Sequence, residues 1–138
     1  AFSPHGRTRD ITVPGAERTT FWPVVKQIAD RFEFAIKPDA APEQGGYYRS
    51  DHFSFAKAGI PAFSVHGGSD YVKGKPPTPA KSTYHQPSDE YSDNWDFSGM
   101  EQLAKFAVVL GMEAANAPGL PTWNAGDEFL AAREKSMK

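Results

Sequence analysis

The sequence predicts an α/β fold in a three-layer αβα arrangement, with part of a mixed sheet flanked by helices. Short segments of strand composition alternate with amphipathic helical segments, which is the pattern of βαβ units. The segment "IPAFSV" (60–65) is apolar throughout, which indicates a strand buried on both faces of a parallel sheet. A chain of 138 residues has the size of one domain, so residues 1–138 are predicted to fold as a single domain.

The first part of the chain contains two predicted strands and a helix between them. The segment "RDITVPG" indicates a short strand closed by a Pro-Gly turn, and "FAIKP" indicates a second strand that stops at Pro38. Thr19 or Thr20 is the expected N-cap of the helix, which has Pro23 in its first turn. Helical periodicity predicts that one face of this helix is buried, namely Phe21, Val24, Val25, Ile28, Ala29 and Phe32.

A short helix and a long loop surround the "IPAFSV" segment. Ser50 or Asp51 can cap the short helix, and Gly59 is its expected stop. Residues 67–83 are rich in Gly and Pro and have no periodicity, which is typical of functional or disordered loops.

The C-terminal part of the chain is predicted to be helical. A helix is expected from about 98 to 116, and Ser98 with Glu101 forms a capping-box pattern at its start. Residues 127–138 have the pattern of a second, amphipathic helix. The buried stripe of the longer helix is predicted to consist of Met100, Leu103, Ala107, Leu110 and Ala114.

The composition excludes several classes of protein. The net charge is −2 and no long run of one sign occurs, so neither nucleic acid nor a membrane surface is expected as a partner. No stretch of about 18 apolar residues is present. The absence of cysteine excludes disulfides and cysteine-based metal sites or nucleophiles. It also fits many exported bacterial proteins, so a periplasmic or extracellular location is expected.

Histidines are the main candidates for chemistry. No short metal-ligand spacing such as His-x-His, no Gly-rich phosphate loop and no Gly-x-Ser-x-Gly turn occurs. A Ser-His-Asp triad could be chosen from the many serines and acids, but no spacing favours a particular one. His66 follows the apolar segment, at the end of a strand where α/β sheets bind ligands. His5 is expected to be exposed.

His85 is the histidine with the richest polar surroundings. It follows Tyr84 at the end of the long loop, and Asp89 and Glu90 come shortly after it. A loop histidine can bind zinc through one ring nitrogen while the other donates to a carboxylate or carbonyl. Composition alone favours the simpler interpretation, an exposed histidine in a polar loop.

Asp51 also has two interpretations. It can be a helix N-cap, or a carboxylate at the rim of a pocket that holds a substrate amine. Tyr47 and Tyr48, just before it, belong either to the core or to the same rim, where a phenol can donate a hydrogen bond.

Four segments together resemble a known family: "GRTRDITV", "YYRSDHFSFAKAGIPAF", "DYVKG" and "YHQPSDEYSDNWDFSG". They resemble the C-terminal half of bacterial di-zinc aminopeptidases, a zinc peptidase family that also includes glutamate carboxypeptidase and glutaminyl cyclase. The resemblance extends from about Gly6 to Arg133. It implies the C-terminal part of a zinc-exopeptidase-like fold.

The resemblance also implies an activity and roles for individual residues. Such a hydrolase uses two zinc ions to activate the water that cleaves an N-terminal peptide bond. His85 corresponds to a terminal zinc ligand, and Asp51, with Tyr48, is placed beside the peptide substrate. The family's His-x-Asp pair and its Glu-Glu pair, which supplies the general base, do not occur in the sequence. No catalytic residue is therefore assigned to this chain.

These missing motifs lead to an expectation about the whole protein. The chain is expected to be the C-terminal portion of a longer peptidase catalytic domain, with the N-terminal half of the same protein as its partner. Alone, it is expected to be inactive, to retain no zinc and to cover an incomplete sheet by forming a homodimer. Two alternatives stay open: a non-catalytic binding module of the same fold, and a glutaminyl-cyclase-like acyltransferase that uses a single zinc.

Overall fold

A computed structural model describes residues 5–74 and 86–138 of the protein. Its sheet has three strands in the order β2-β1-β3. The central strand β1 (Asp10–Thr12) pairs in parallel with β2 (Ala35–Lys37) and antiparallel with β3 (His66–Gly67). Helices and a mixed sheet alternate along the chain, so the predicted α/β class is confirmed, as are the strands predicted from "RDITVPG" and "FAIKP".

Helix α1 (Trp22–Arg31) connects β1 to β2 and packs its apolar face into the main core. Val25, Ile28 and Ala29 on this face are buried, as the periodicity predicts. The predicted threonine cap is wrong, because both hydroxyls bond to other backbone groups. Thr19 Oγ1 donates to the Ala16 carbonyl at 2.8 Å, within the preceding 3₁₀-helix (Ala16–Arg18). Thr20 Oγ1 accepts from the Thr122 amide at 2.9 Å.

Helix α3 (Ser98–Ala115) covers the same core with a stripe that differs from the predicted one. Leu103 and Leu110 are buried as predicted, whereas Ala107 and Ala114 are exposed. Phe106 is fully buried instead, because its ring packs edge-on against Phe32 and Phe34, each with 5.5 Å between ring centroids. This aromatic cluster rotates the helix so that the stripe follows positions 99, 103, 106 and 110.

The predicted capping box of α3 is also wrong. Phe97 occupies the N-cap position and makes no side-chain cap. The Ser98 amide donates to Asp96 Oδ1 at 3.0 Å, and Glu101 forms an ion pair with Lys105 one turn along the helix. The Asp96 carboxylate therefore accepts the backbone hydrogen bond at the start of α3, in place of the predicted reciprocal hydrogen bonds of Ser98 and Glu101.

Residues 60–65 do not form the buried parallel strand that the sequence predicts. Only His66–Gly67 join the sheet, and β3 runs antiparallel to β1. The segment is half-buried, and the Ile60 side chain is 44% exposed. Tyr47 Oη donates to the Ala62 carbonyl at 3.0 Å, so a side chain takes an acceptor that a strand neighbour would otherwise use.

A second core cluster joins helix α2 (His52–Lys57) to the C-terminal helix α4 (Leu130–Ser136). Trp123 is buried in it, and Trp123 Nε1 donates to the Gly59 carbonyl at 3.0 Å. Gly59 has a φ of +85°, which confirms it as the stop of α2, and α4 confirms the predicted C-terminal helix. The predicted side-chain cap of α2 is not formed. None of the described helices is long and apolar enough to cross a membrane.

Candidate functional site

Two adjoining cavities lie at the edge of the sheet where the parallel strands β1 and β2 end. The larger cleft has a volume of about 560 Å³ and the smaller cavity about 300 Å³. Open α/β sheets bind ligands at the carboxyl ends of their strands, so this edge is the expected place for a site. Four residues line both cavities and form the partition between them: Pro14, Asp39, Gly46 and Tyr47.

The smaller cavity is lined by two histidines. His52 lies in the first turn of α2, and its Nδ1 is 2.8 Å from Ser64 Oγ. His66 pairs with Thr12, the last residue of β1. Because β3 is antiparallel to β1, His66 begins β3 rather than ending a parallel strand, but it still lies at the ligand-binding edge. Its position at this edge was predicted correctly, and the strand direction was not.

Partial burial makes both imidazoles less basic than ordinary histidines, although His66 is the more exposed of the two. It lowers the pKa of His52, and the charge of His66 lowers that pKa further, against the opposing effects of the Tyr47 backbone and Asp51. Burial likewise lowers the pKa of His66, with Asp39 opposing it. Within the described residues, His52 Nε2 is buried without a hydrogen-bond partner. The cavity therefore holds two imidazoles that stay neutral to a lower pH than usual.

The larger cleft has mainly aromatic and apolar walls. Trp22, Tyr47 and Tyr48 line it together with Val13, Ile36 and three prolines. Burial raises the pKa of Tyr47 to about 12. Tyr48 Oη donates to Glu128 Oε1 at 2.8 Å, and this hydrogen bond raises the pKa of Tyr48. Both phenols therefore stay protonated at neutral pH.

Arg18 is one of the charged residues that line this cleft. Its Nε donates to Asp127 Oδ2 at 2.7 Å and its Nη2 to Glu128 Oε1 at 2.9 Å. Burial lowers the pKa of Arg18, but the hydrogen bonds to the two carboxylates outweigh this effect and raise it above the ordinary value. The two carboxylates therefore hold the guanidinium in place and neutralise its positive charge.

The residues predicted to bind substrate lie beside these cavities. Tyr48 lines the larger cleft. Asp51 is exposed and lines neither cavity, but its neighbours Ser50 and His52 line the smaller one. His85 lies outside the described residues, so its predicted role as a zinc ligand stays a prediction. The structure brings Tyr48 and Asp51 to the same region without putting both into one cavity.

Sequence reasoning missed Asp39, Arg18 and Ser64 at this site. Asp39 lies two residues after the end of β2, and a search for polar residues just after each predicted strand would have found it. Arg18 and Ser64 carried no such signal. The acidic partners of Arg18 are more than a hundred residues away along the chain, and no local sequence pattern indicates them.

A metal centre does not form from the residues within 5–74 and 86–138. His52, His66 and Asp39 line one cavity, yet no three histidine or acidic side chains in these ranges converge closely enough to hold a metal ion. Catalytic zinc sites use about three protein ligands. The described residues alone therefore do not fit a zinc ion.

Comparison with known proteins identifies the family. The family model described as Peptidase family M28 matches residues 1–111. This chain belongs to Peptidase family M28. The matched range includes the whole sheet, both cavity-lining histidines and Asp51. No curated protein and no solved structure matches the chain.

Membership of Peptidase family M28 supports a zinc-dependent peptidase, a hydrolase that acts in proteolysis. It confirms the resemblance found in the sequence at the level of the zinc peptidase family. The sheet and the residues that line both cavities belong to the matched part of the chain. The match ends at residue 111, so the acids that neutralise Arg18 lie beyond it.

Proposed function

We propose that this chain forms the substrate-binding part of a zinc-dependent aminopeptidase, an exopeptidase that removes N-terminal residues from peptides. The match to Peptidase family M28 over residues 1–111 carries this proposal. The position of two cavities at the carboxyl edge of β1 and β2 supports it. In this proposal the chain is the C-terminal portion of the catalytic domain. The general base and the remaining zinc ligands lie outside it.

The surroundings of Asp51 support a role in holding the substrate amine. Its side chain occupies the N-cap position of α2 without making a capping bond. The residues on either side of it line the smaller cavity. A carboxylate at the rim of a cavity can accept charge-assisted hydrogen bonds from the ammonium group of a peptide N-terminus.

Tyr48 contributes through its ring rather than through its hydroxyl. The hydroxyl already donates to Glu128, and the ring packs edge-on against Tyr47 and Phe53, with 5.3 Å between centroids in both pairs. The side chain is 47% exposed, so one side of the ring is open to the cleft. A ring fixed in this way offers an apolar surface to a substrate side chain.

His85 is proposed as a zinc ligand of the complete protein, and this role gives the sharpest test of the function. We expect His85→Ala to lower zinc affinity by more than about 100-fold, which exceeds the usual effect of losing a residue that only orients a ligand. Aminopeptidase activity should fall together with zinc content. Both are measured on the same dialysed sample, by elemental analysis and by hydrolysis of a leucyl-anilide.

His5→Ala is the matched control, because His5 is an exposed histidine outside both cavities. It should leave zinc content and turnover unchanged. The 138-residue chain, run in parallel, should bind no zinc tightly and should not turn over. Full zinc occupancy in His85→Ala, or turnover by the 138-residue chain, would contradict the proposal. A content of one zinc ion per protein molecule, together with cyclisation of the N-terminal glutamine of a peptide, would favour the acyltransferase alternative.

A further inference from the structure

We propose that the larger cleft binds the carboxyl-terminal residue of a short peptide, with its apolar side chain between the aromatic walls and its α-carboxylate at Lys37. The assignment of this ligand to the peptide substrate rests on the proposed function. The binding itself depends only on the cleft. The proposal adds a preference for short peptides with a free carboxylate.

The size and walls of the cleft fit one apolar residue with its backbone. Its volume of about 560 Å³ lies within the range of roughly 300–1,000 Å³ that is usual for ligand sites. Such sites combine apolar and aromatic walls with a few polar groups that fix orientation. Trp22 and Tyr48 supply the aromatic surface, and Val13 and Ile36 supply aliphatic surface.

The charges around the cleft single out Lys37 for an anion. Arg18 is paired with Asp127 and Glu128, so it has no charge left for a ligand. Lys37 is exposed and lines the cleft, and it forms no ion pair within the described parts of the chain. It is also the last residue of β2, which places it at the carboxyl edge of the sheet.

Two acidic residues restrict where the ligand carboxylate can bind. Glu17 Oε2 accepts from the Gly15 amide at 3.1 Å, and Asp39 Oδ1 accepts from the Ala41 amide at 3.0 Å. Both carboxylates line the cleft, and each repels a negatively charged ligand group that lies near it. A ligand carboxylate is therefore favoured only beside Lys37, where an uncharged amide forms a weaker hydrogen bond than the carboxylate does.

The partition between the two cavities links this site to the proposed reaction. Tyr47 and Gly46 belong to the wall that the two cavities share, and in this proposal a short peptide extends over that wall from one cavity to the other. Its amino end then points to the side of Asp51, and its carboxyl end to Lys37. Only a short chain can satisfy both charged ends at once, which makes short peptides the favoured substrate class.

The binding step is tested on the 138-residue chain with three small probes, by ¹H–¹⁵N NMR titration. N-acetylphenylalanine carries the apolar side chain and the carboxylate, its amide lacks the charge, and N-acetylglycine lacks the side chain. We expect N-acetylphenylalanine to shift the Lys37 and Tyr48 amides and the Trp22 indole signal. The amide should bind about three-fold more weakly, the usual effect of an exposed ion pair. N-acetylglycine should bind at least about ten-fold more weakly.

Lys37→Met tests the charge, and Lys26→Met is its matched control. Lys26 lies on α1 above the Trp22 ring but does not line the cleft. Lys37→Met should abolish the preference for the carboxylate, and Lys26→Met should preserve it. Raising the salt concentration on the unaltered chain should reduce the same preference, which gives a second measurement if the variant does not fold.

Equal binding of the carboxylate and the amide, shifts confined to other surfaces, or no binding of any probe would each overturn the proposal. The titration requires neither zinc nor turnover. Its failure would leave the peptidase proposal untouched, and a failure of the zinc and activity test would leave the titration result valid.

Discussion

Gly15 sets the shape of the partition between the two cavities. Its φ is +94°, and a Cβ at this position would lie 2.2 Å from Cε2 of Tyr47. Tyr47 cannot easily move away, because it is buried and its hydroxyl donates to the Ala62 carbonyl. The ring therefore rests against the glycine backbone, and this contact needs a residue without a side chain.

Gly15→Ala tests how rigid that contact is. Gly126 has a similar φ of +84° with nothing within 4 Å of its Cβ position, so Gly126→Ala measures the backbone effect alone. We expect Gly126→Ala to lower the free energy of unfolding by about 1 kcal/mol. Gly15→Ala should cost about 1–3 kcal/mol more, because it also forces atoms into a packed site. Urea denaturation gives both values, and equal losses would show that Tyr47 moves aside freely.

His52 connects two elements, because its ring joins α2 to the segment before β3. The 2.8 Å contact between Nδ1 and Ser64 Oγ is one link, and the ring also packs against Tyr47 with 4.6 Å between centroids. Burial lowers the pKa of His52 and of His66. Protonation of either ring is therefore less favourable in the folded chain than in the unfolded one.

This difference predicts a loss of stability in mild acid. Unfolded histidines take up protons near pH 6.5, whereas these two take them up only at lower pH. The free energy of unfolding should be greatest above about pH 7 and should fall as the pH drops below about 6.5. His52→Asn, which keeps an amide near Ser64, should reduce this fall in the free energy of unfolding, as measured by urea denaturation at several pH values. His5→Asn should preserve it, and an unchanged slope in His52→Asn would contradict the prediction.

The C-terminal segment supports the cleft although the family match ends before it. Arg18 forms ion pairs with Asp127 and Glu128, and its guanidinium lies 4.9 Å from the centroid of Phe129. The Asn124 amide donates to the Arg18 carbonyl at 2.8 Å. The Asp127 side chain is only 8% exposed, and an acid so buried needs its cationic partner. Residues 123–129 thus hold the 3₁₀-helix that lines the cleft.

The elements that the sequence predicted well depend on local patterns. The period of α1 and the turn at Gly59 are local, and both predictions are confirmed. The predicted strand at residues 60–65 was wrong and the predicted stripe of α3 was wrong in part, because distant aromatic side chains determine both. Tyr47 bonds to Ala62, and Phe106 packs with the rings at the end of α1.

The candidate site could be predicted only in part for the same reason. The substrate-binding roles of Tyr48 and Asp51 rest on a resemblance and stay predictions, since nothing in their spacing distinguishes the rim of a pocket from a helix cap. The contact of His52 with Ser64 and the ion pairs of Arg18 join residues that the fold brings together. That Lys37 forms no ion pair within residues 5–74 and 86–138 can be seen only in the folded structure, because the fold determines the partners of the other charged residues at the cleft.

The whole molecule exposes apolar surface beside a small sheet. Both β2 and β3 are edge strands in this three-stranded sheet. On α3, Val108 is 60% exposed and Met112 is 59% exposed, and the two lie one turn apart on the same face. Exposed apolar side chains and sheet edges favour association with another chain.

We propose that two copies of the 138-residue chain associate through this face of α3. Burying a few apolar side chains gains about 1.5–3 kcal/mol for each, and the loss of free motion offsets much of that gain. The dimer should therefore be weak and appear only at roughly 100 µM or above. Light scattering should show a mass that rises with concentration, and Val108→Lys with Met112→Lys should prevent the rise. Phe55→Lys is the matched control, because Phe55 is also well exposed (57%) but lies on α2. It should not prevent the rise in mass. A constant monomer mass for the unaltered chain, or a rise that only Phe55→Lys removes, would show that this face does not mediate association.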